Sequence, residues 1–150
     1  MKRKNRADLN CPMARSVNII GEWGSLMILR EAFGGVTRFD DFQKRLRMSR
    51  NLLSTRLKSL VANGIMERRP INADGRRLEY ALSPMGEDLV TTIVALRQWG
   101  DRWLFAPKPH PADMFDAVDG TKLQELVVRS NKGRRVRRTE IRLRRTTPRR

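Results

Sequence analysis

Apolar residues recur at helical spacing in two neighbouring stretches near the middle of the chain. The first stretch covers residues 38–46 and the second covers residues 50–63. Gly64 follows the second stretch and is a typical helix stop. The apolar positions that define them are Phe39, Phe42 and Leu46, then Leu53, Leu57, Leu60 and Val61. Met48-Ser49 lies between the stretches, and Ser49 is a good N-cap residue. We therefore predict two consecutive helices joined by a short turn.

The spacing of apolar residues then changes to two, which is typical of strands. Residues 66–71 and 77–82 are the predicted strands, and Asp74-Gly75 between them favours a hairpin turn. A helix, a turn, a second helix and a basic hairpin follow one another in a winged helix-turn-helix. In that motif the second helix enters the major groove of DNA and the hairpin reaches the neighbouring backbone. The predicted fold class is mainly α with a small β-hairpin (α+β), ending in a long dimerisation helix.

Helices are also predicted on both sides of this winged helix-turn-helix segment. One runs from Cys11-Pro12 to Gly21, and the next covers residues 22–33 and should bury Trp23. Thr37 to Asp40 has the pattern of a capping box, and a long helix should run from Pro84 to about Trp103. The predicted organisation is a basic arm over 1–10, one domain over 11–106 and a largely disordered tail over 107–150. That tail holds at most a weak amphipathic helix around 123–128.

The net charge of +16 is concentrated at the two ends of the chain. Residues 1–6 carry four bases and no acid, and residues 129–150 carry eleven bases and one acid, Glu140. Such ends are attracted to polyanions by a salt-dependent force that does not depend on sequence. The alternative is a solvated tail without a dedicated partner.

The second helix of the pair has a polar face opposite its leucines. At about 100° per residue, Asn51, Thr55 and Lys58 point away from the core, and this face contains no acid. Asn can bond adenine through two hydrogen bonds, Thr offers a hydroxyl and a methyl group, and Lys bonds guanine or phosphate. The candidate base-contacting residues are Arg50, Asn51, Ser54, Thr55 and Lys58. For each one alone, an ordinary exposed helix position is the alternative interpretation.

Two arginines, Arg76 and Arg77, lie at or beside the hairpin tip. A wing presents arginines to the minor groove or to the adjacent phosphates, so both are candidate DNA contacts. Alternatively they form surface ion pairs with Asp74 or Glu79. Arg68 and Arg69 are weaker candidates because Glu67 is adjacent.

Apolar side chains cover more than half the circumference of the predicted long helix, which is more than a small domain can bury. The surplus predicts a second copy of the chain, with two recognition helices about 34 Å apart on an inverted repeat. The candidate interface residues are Met13, Val17, Ile20, Leu89, Ile93, Leu96, Trp99 and Trp103. The alternative is that the C-terminal segment folds back over this surface.

Catalysis is not expected from this chain. His110 is the only histidine and lies between two prolines, and no nucleophile–base set or phosphate-binding loop is present. We expect no enzyme activity, no cofactor and no metal. The absence of a long apolar run predicts no membrane association and a cytoplasmic protein that works on the nucleoid.

Several segments carry a family resemblance in order and spacing. They are Cys11-Pro12, Ile20 to Trp23, Ile28 to Glu31, Arg38-Phe39, Leu53 to Leu60, Asn63 to Arg68, Glu79 to Gly86 and Leu96 to Gly100. Over about residues 11–104 the chain resembles the HxlR-type winged-helix transcriptional regulators, which are close to the MarR group. The resemblance implies a homodimeric repressor or activator. It also implies that Cys11 matches a cysteine that senses oxidants or electrophiles in some members.

Cys11 and the basic tail leave other interpretations open. A thiol at a helix start is stabilised as the thiolate by the helix dipole, but Cys11 is equally explained as a packing residue. A small-molecule effector is compatible with the same fold. The arginine-rich tail is also compatible with an RNA-binding or architectural protein, although Tyr80 is the sole tyrosine and no aromatic platform for bases is apparent.

Overall fold

The computed structural model describes residues 11–71, 77–105, 107–108 and 112–144. The chain divides into two compact units between Ile93 and Val94. The division therefore falls inside the last long helix, whereas the sequence predicts one domain over residues 11–106.

The first unit contains the predicted winged helix-turn-helix. Its elements are α1 (Pro12–Ile20), α2 (Trp23–Phe33), α3 (Phe39–Leu46), α4 (Arg50–Ala62), β1 (Met66–Pro70), β2 (Leu78–Leu82), α5 (Pro84–Glu87) and the start of α6 (Val90–Leu104). Helices α3 and α4 are the predicted pair, and β1 and β2 form the predicted hairpin. The mainly α fold with a small β-hairpin is thus confirmed. None of the helices in the described ranges is both long and apolar enough to cross a membrane.

The core of this unit is formed by the apolar stripes of α2, α3 and α4. The fully buried large residues include Ile28, Leu29, Phe42, Leu53, Leu57, Leu60 and Met66. Burying one such side chain contributes about 1.5–3 kcal/mol to folding. The prediction that Trp23 is buried is wrong, because its side chain is 62% exposed. Ile28 and Leu29 occupy the inner face of α2 instead, and Trp23 begins that helix on its outer side.

Side-chain caps fix several helix ends. The Ser49 hydroxyl accepts a hydrogen bond from the Leu52 N–H at 3.3 Å, which starts α4 where the sequence predicts. Ser83 caps α5 in the same way through the Gly86 N–H. The predicted capping box at Thr37 is wrong. Helix α3 starts one residue later, with Arg38 at the N-cap position and no side-chain capping bond.

The hairpin has a regular antiparallel register. Met66 pairs with Leu82 and Pro70 with Leu78, and the Ile71 N–H donates to the Arg77 carbonyl at 2.8 Å. The Tyr80 N–H donates to the Thr37 carbonyl, which ties β2 to the segment that precedes α3. The predicted turn at Asp74-Gly75 lies outside the described residues.

The predicted long helix is interrupted near its start. Residues 88–89 form a turn between α5 and α6, and the Leu89 N–H donates to Gly86 three residues back. Gly86 lies so close to the Ile65 carbonyl that a Cβ on it would be 2.1 Å from the oxygen. This contact places α5 against the segment between α4 and β1, and α6 then begins at Val90.

The second unit contains residues 94–104 of α6 and a hydrogen-bonded C-terminal segment. An isolated bridge pairs Phe115 with Lys122, and a second pairs Arg129 with Arg135. The Gln98 side chain donates to the Gln124 carbonyl and accepts from the Leu126 N–H, at 2.9 and 2.8 Å. A short 3-10 turn covers Arg138–Glu140. This order differs from the predicted disordered tail, and residues 123–128 form no helix.

Candidate nucleic-acid interface

The outer face of α4 is polar and open to solvent. Arg50, Asn51, Thr55 and Lys58 are exposed, and Ser54 is half-buried at the flank. Leu53, Leu57 and Leu60 on the opposite face are fully buried, so the helix cannot rotate without exposing its leucines. The structure therefore brings the five candidate residues together on one face. We call Arg50, Asn51, Ser54, Thr55 and Lys58 the recognition face.

Arg50 is oriented by two side chains of α3. Its guanidinium carbon lies 4.9 Å from the centre of the Phe39 ring, a cation–π distance. Its Nη1 lies 3.7 Å from Asp40 Oδ1, in a pair whose two side chains are largely exposed. Exposed pairs of this kind contribute little to stability, about 0–1 kcal/mol. Their effect is to hold the cation beside the N-terminus of α4, where it remains accessible.

The Thr55 hydroxyl forms its donor hydrogen bond within the helix. Its Oγ1 donates to the Asn51 carbonyl at 2.8 Å. The γ-methyl group and the oxygen lone pairs of Thr55 are then what this side chain offers outward. The Asn51 side-chain amide is exposed and belongs to the same turn of the helix.

Arg56 links α4 to the start of α2, a contact that the sequence did not predict. Its Nη2 lies 3.2 Å from Glu22 Oε2, and both side chains are partly buried. Gly24 makes room for it, since a Cβ there would lie 3.2 Å from both Arg56 Cγ and Met48 Cε. The available signal was the position of Arg56 at the edge of the leucine stripe, where a charged group needs a partner. The ion pair therefore ties the middle of α4 to the start of α2.

The turn between α3 and α4 depends on a left-handed residue. Arg47 has a φ of 52°, and its N–H donates to the Gln43 carbonyl at 2.9 Å. This conformation is uncommon for a residue other than glycine. It ends α3 and lets the next residue, Met48, turn into the core, where it is 6% exposed.

Of the two candidate wing arginines, the structure describes one. Arg77 is exposed just before β2, and Arg76 lies outside the described residues. Arg69 is paired with Glu67 at 2.7 Å, and that carboxylate raises the pKa of Arg69 above its ordinary value. The positive charge of Arg69 is thus partly offset by Glu67, as its adjacency to an acid suggested. Arg68 is exposed on β1.

The candidate interface residues divide into two groups. Ile20, Leu89 and Ile93 are partly buried against the core of their own chain, so they offer less surface than the sequence suggested. The exposed group is Met13 and Val17 on α1, in the first unit, and Leu96, Trp99 and Trp103 on α6, in the second. Trp99 and Trp103 are 53% and 66% exposed, which is unusual for so large an apolar side chain.

Cys11 is exposed at the N-cap position of α1 and makes no side-chain capping bond. In the parts of the chain that the structure describes, no three histidine, cysteine, aspartate or glutamate side chains come together as a metal site.

Residues 19–108 match the family model described as HxlR-like helix-turn-helix. The chain is 43% identical over 99 residues to Rv3095 of Mycobacterium tuberculosis, an uncharacterized HTH-type transcriptional regulator. The match takes in 66% of this chain, and the chain spans about 63% of the length of that relative.

Solved structures show the same architecture. The crystal structure of PA1607, a candidate transcription factor, has a TM-score of 0.89 and 35% identity, and the match covers 95% of this chain and all of PA1607. Most of the C-terminal segment therefore has a counterpart there. The reduced form of YodB, a transcriptional regulator of Bacillus subtilis, has a TM-score of 0.53 and 26% identity over 62% of this chain and 93% of YodB. YodB has also been solved after treatment with diamide. The chain belongs to the HxlR-like helix-turn-helix family of transcriptional regulators, as its winged helix and its match over residues 19–108 establish.

Proposed function

We propose that this chain binds duplex DNA sequence-specifically as a homodimer, on operators that are inverted repeats. The observation that carries the proposal is the recognition face. It combines exposed polar and basic side chains with a fully buried leucine stripe behind them. A protein of this kind acts on the nucleoid in the cytoplasm.

The chemistry of each side chain suggests a role in the major groove. The Asn51 amide can bond the N6 and N7 atoms of adenine, and the Thr55 methyl group suits the methyl of thymine. Arg50, beside the helix N-terminus, is suited to guanine or to a phosphate, and Lys58 to a phosphate further along. Ser54 at the flank supplies a hydroxyl to either. Arg76 and Arg77 of the wing would contact the neighbouring minor groove or backbone.

A second copy is supported by unpartnered apolar surface. Leu96, Trp99 and Trp103 lie along one stripe of α6, and tryptophans in such a position are typical of energetically important interface residues. Met13 and Val17 present a further exposed apolar strip on α1. A symmetric pair doubles the contacted base pairs and favours operators with two-fold symmetry.

Selection from a pool of random duplexes with the purified full chain tests the proposal. We expect enrichment of one inverted repeat whose half-sites are about one helical turn apart. A pool that remains random after repeated rounds, with binding that depends only on salt, would contradict sequence-specific recognition.

We further propose that Cys11 makes operator binding sensitive to thiol oxidants. The thiol is exposed at the start of α1, near the apolar strip of that helix, and YodB has been studied in reduced and diamide-treated forms. Diamide oxidises two thiols to a disulfide and is itself reduced to the hydrazine. With one cysteine per chain, the disulfide would join two protomers.

The test of Cys11 compares wild type with Cys11→Ser. Diamide is expected to weaken operator binding by wild type, and to give a covalent dimer on non-reducing gels, but to leave the serine variant bound. An equal response of both proteins would remove the sensor role.

A further inference from the structure

The C-terminal segment carries a second, strongly basic hairpin that the winged helix does not explain. Residues 128–136 form its two arms, and the Ser130 N–H donates to the Arg134 carbonyl while the Val136 N–H donates to that of Val128. Gly133 completes the turn at a φ of 79°. We call residues 128–144, the hairpin and the 3-10 turn that follows it, the arginine hairpin.

The arginine hairpin cannot neutralise its own charge. Residues 128–144 contain eight basic residues and a single acid, Glu140. Glu140 accepts from the Arg134 guanidinium at 2.9 Å and from the Arg137 backbone N–H at 2.7 Å. One carboxylate therefore organises the end of the hairpin, and a large positive excess remains on an exposed surface.

The hairpin also sets like charges against each other. Arg129 and Arg135 are directly paired across its arms. Like charges in this position destabilise a hairpin. The Arg129 guanidinium donates to the Gly133 carbonyl at 2.8 Å, and an anion bound beside the pair would further reduce the repulsion. Because side chains alternate along a strand, Arg137 follows Arg135 on the same face. Arg134, Arg135, Arg137 and Glu140 line an open depression of about 560 Å³.

We propose that the arginine hairpin is a second DNA-binding element that contacts backbone phosphates of duplex DNA without reading base sequence. Guanidinium groups bond phosphate oxygens through paired donors, and several of them converge here. Residues 128–150 contain no aromatic residue, so unpaired bases would have no ring to stack on. The inference rests on the proposed function, which makes duplex DNA the partner and tethers the hairpin close to it.

The test measures affinity of the full chain for a duplex of scrambled sequence across a series of KCl concentrations. The triple variant Arg135→Gln, Arg137→Gln, Arg138→Gln should lower the slope of log affinity against log salt by about 2–3. The change in affinity between about 50 and 200 mM salt should then shrink by roughly 40-fold. The matched control is Arg145→Gln, Arg149→Gln, Arg150→Gln, which removes the same charge outside the hairpin and should lower the slope by less than about 1.

Equal slopes in the two triple variants would overturn the proposal, because only diffuse charge would then matter. Gly133→Val tests the geometry with no change in charge. A β-branched residue at a φ of 79° is strained, so this variant should reproduce part of the loss. Binding by Gly133→Val that matches wild type would also overturn the proposal. An unchanged thermal midpoint in all variants confirms that the winged helix is folded.

Competition with single-stranded RNA separates the possible partners. Duplex DNA is expected to compete better than RNA of equal length, and tighter RNA binding that depends on the hairpin would overturn the inference. Asn51→Ala distinguishes this element from the recognition face, since it should weaken operator binding while keeping the wild-type slope on scrambled duplex. If selection yields no operator, the proposed specific function fails, whereas the slopes still report on the hairpin.

Discussion

Asn51 and Thr55 lie one helical turn apart on the exposed face of α4, and the contact between them restricts what each can offer to a base. The Thr55 hydroxyl donates to the Asn51 carbonyl, so in the proposed complex Thr55 would act mainly through its methyl group. The Asn51 amide keeps both its donor and its acceptor available to the groove. The two residues should therefore respond differently to substitution.

Asn51→Ala is expected to cost about 1–3 kcal/mol at the selected operator, with little effect on scrambled duplex, because it would remove the proposed bidentate base contact. Thr55→Ser should also weaken operator binding, since it deletes the methyl group, whereas Thr55→Val should retain most of the affinity. Asn18→Ala, an exposed asparagine on α1, is the control. Fluorescence anisotropy on both duplexes measures these effects. An equal loss on both duplexes would make Asn51 a backbone contact.

Single residues of the recognition face could be predicted from the sequence because helical periodicity alone separates a leucine stripe from the opposite side. Arg56 could not be placed in this way. Its role depends on how closely α2 approaches α4 at Gly24, a tertiary distance that periodicity does not encode. The exposure of Trp23 was missed for a related reason, because the inner face of α2 is filled by Ile28 and Leu29.

At the scale of elements, α4 is held in place by the Glu22–Arg56 pair as well as by its leucines. Glu22→Gln should lower the free energy of unfolding by about 1 kcal/mol, since it leaves a partly buried guanidinium without its anion. It should also weaken operator binding, although Glu22 itself is remote from the recognition face in sequence. The control is Glu67→Gln, which breaks the exposed pair with Arg69 and should cost less. Chemical denaturation measures stability. Equal costs would show that the Glu22 pair has no special positioning role.

The turn between α5 and α6 gives a second test at this scale. Gly86→Ala should destabilise the chain by about 1–3 kcal/mol, because its Cβ would overlap the Ile65 carbonyl and the backbone between α4 and β1 would have to move. Gly100→Ala, within α6 and with open space around it, should instead stabilise by about 0.5–1 kcal/mol. Thermal and urea unfolding measure both. A tolerated alanine at position 86 would contradict the close approach.

The helix predicted over residues 84–103 is divided into α5 and α6, which the sequence pattern did not indicate. Apolar spacing across residues 84–103 is compatible with one helix, and Ser83-Pro84 starts it correctly. Near the break, Gly86 packs against the Ile65 carbonyl, a tertiary contact that leaves no trace in the periodicity. The two strands of the hairpin, by contrast, were predicted from the sequence to within one residue at each end. The expected alternation along β2 is not observed, because all five of its residues are half-buried.

For the whole molecule, the proposed association of two copies can be tested at the exposed tryptophans of α6. Trp99→Lys is expected to raise the dimer dissociation constant by roughly 30-fold or more, the effect of losing an interface residue worth about 2 kcal/mol. Val118→Lys introduces the same charge at a side chain that is 95% exposed and should leave association unchanged. Sedimentation equilibrium measures both. Wild-type association by Trp99→Lys would exclude this stripe from the dimer contact.

The order of the C-terminal segment was the largest difference from the sequence-based prediction. Composition correctly indicated a strongly basic region, because charge can be counted. Composition could not indicate that the Gln98 side chain would form hydrogen bonds with the backbone at residues 124 and 126. A bond between one side chain and a distant backbone segment has no characteristic sequence pattern.

That glutamine has a consequence for where the protein can be cut. A fragment that stops at residue 108, the end of the family match, would lack residues 124 and 126. Gln98 would then lose both of its hydrogen bonds to the C-terminal segment. A fragment that extends beyond residue 126 should therefore be more stable than one that stops at residue 108. Limited proteolysis should leave the Gln98-bonded stretch attached to α6 and trim the chain beyond it first.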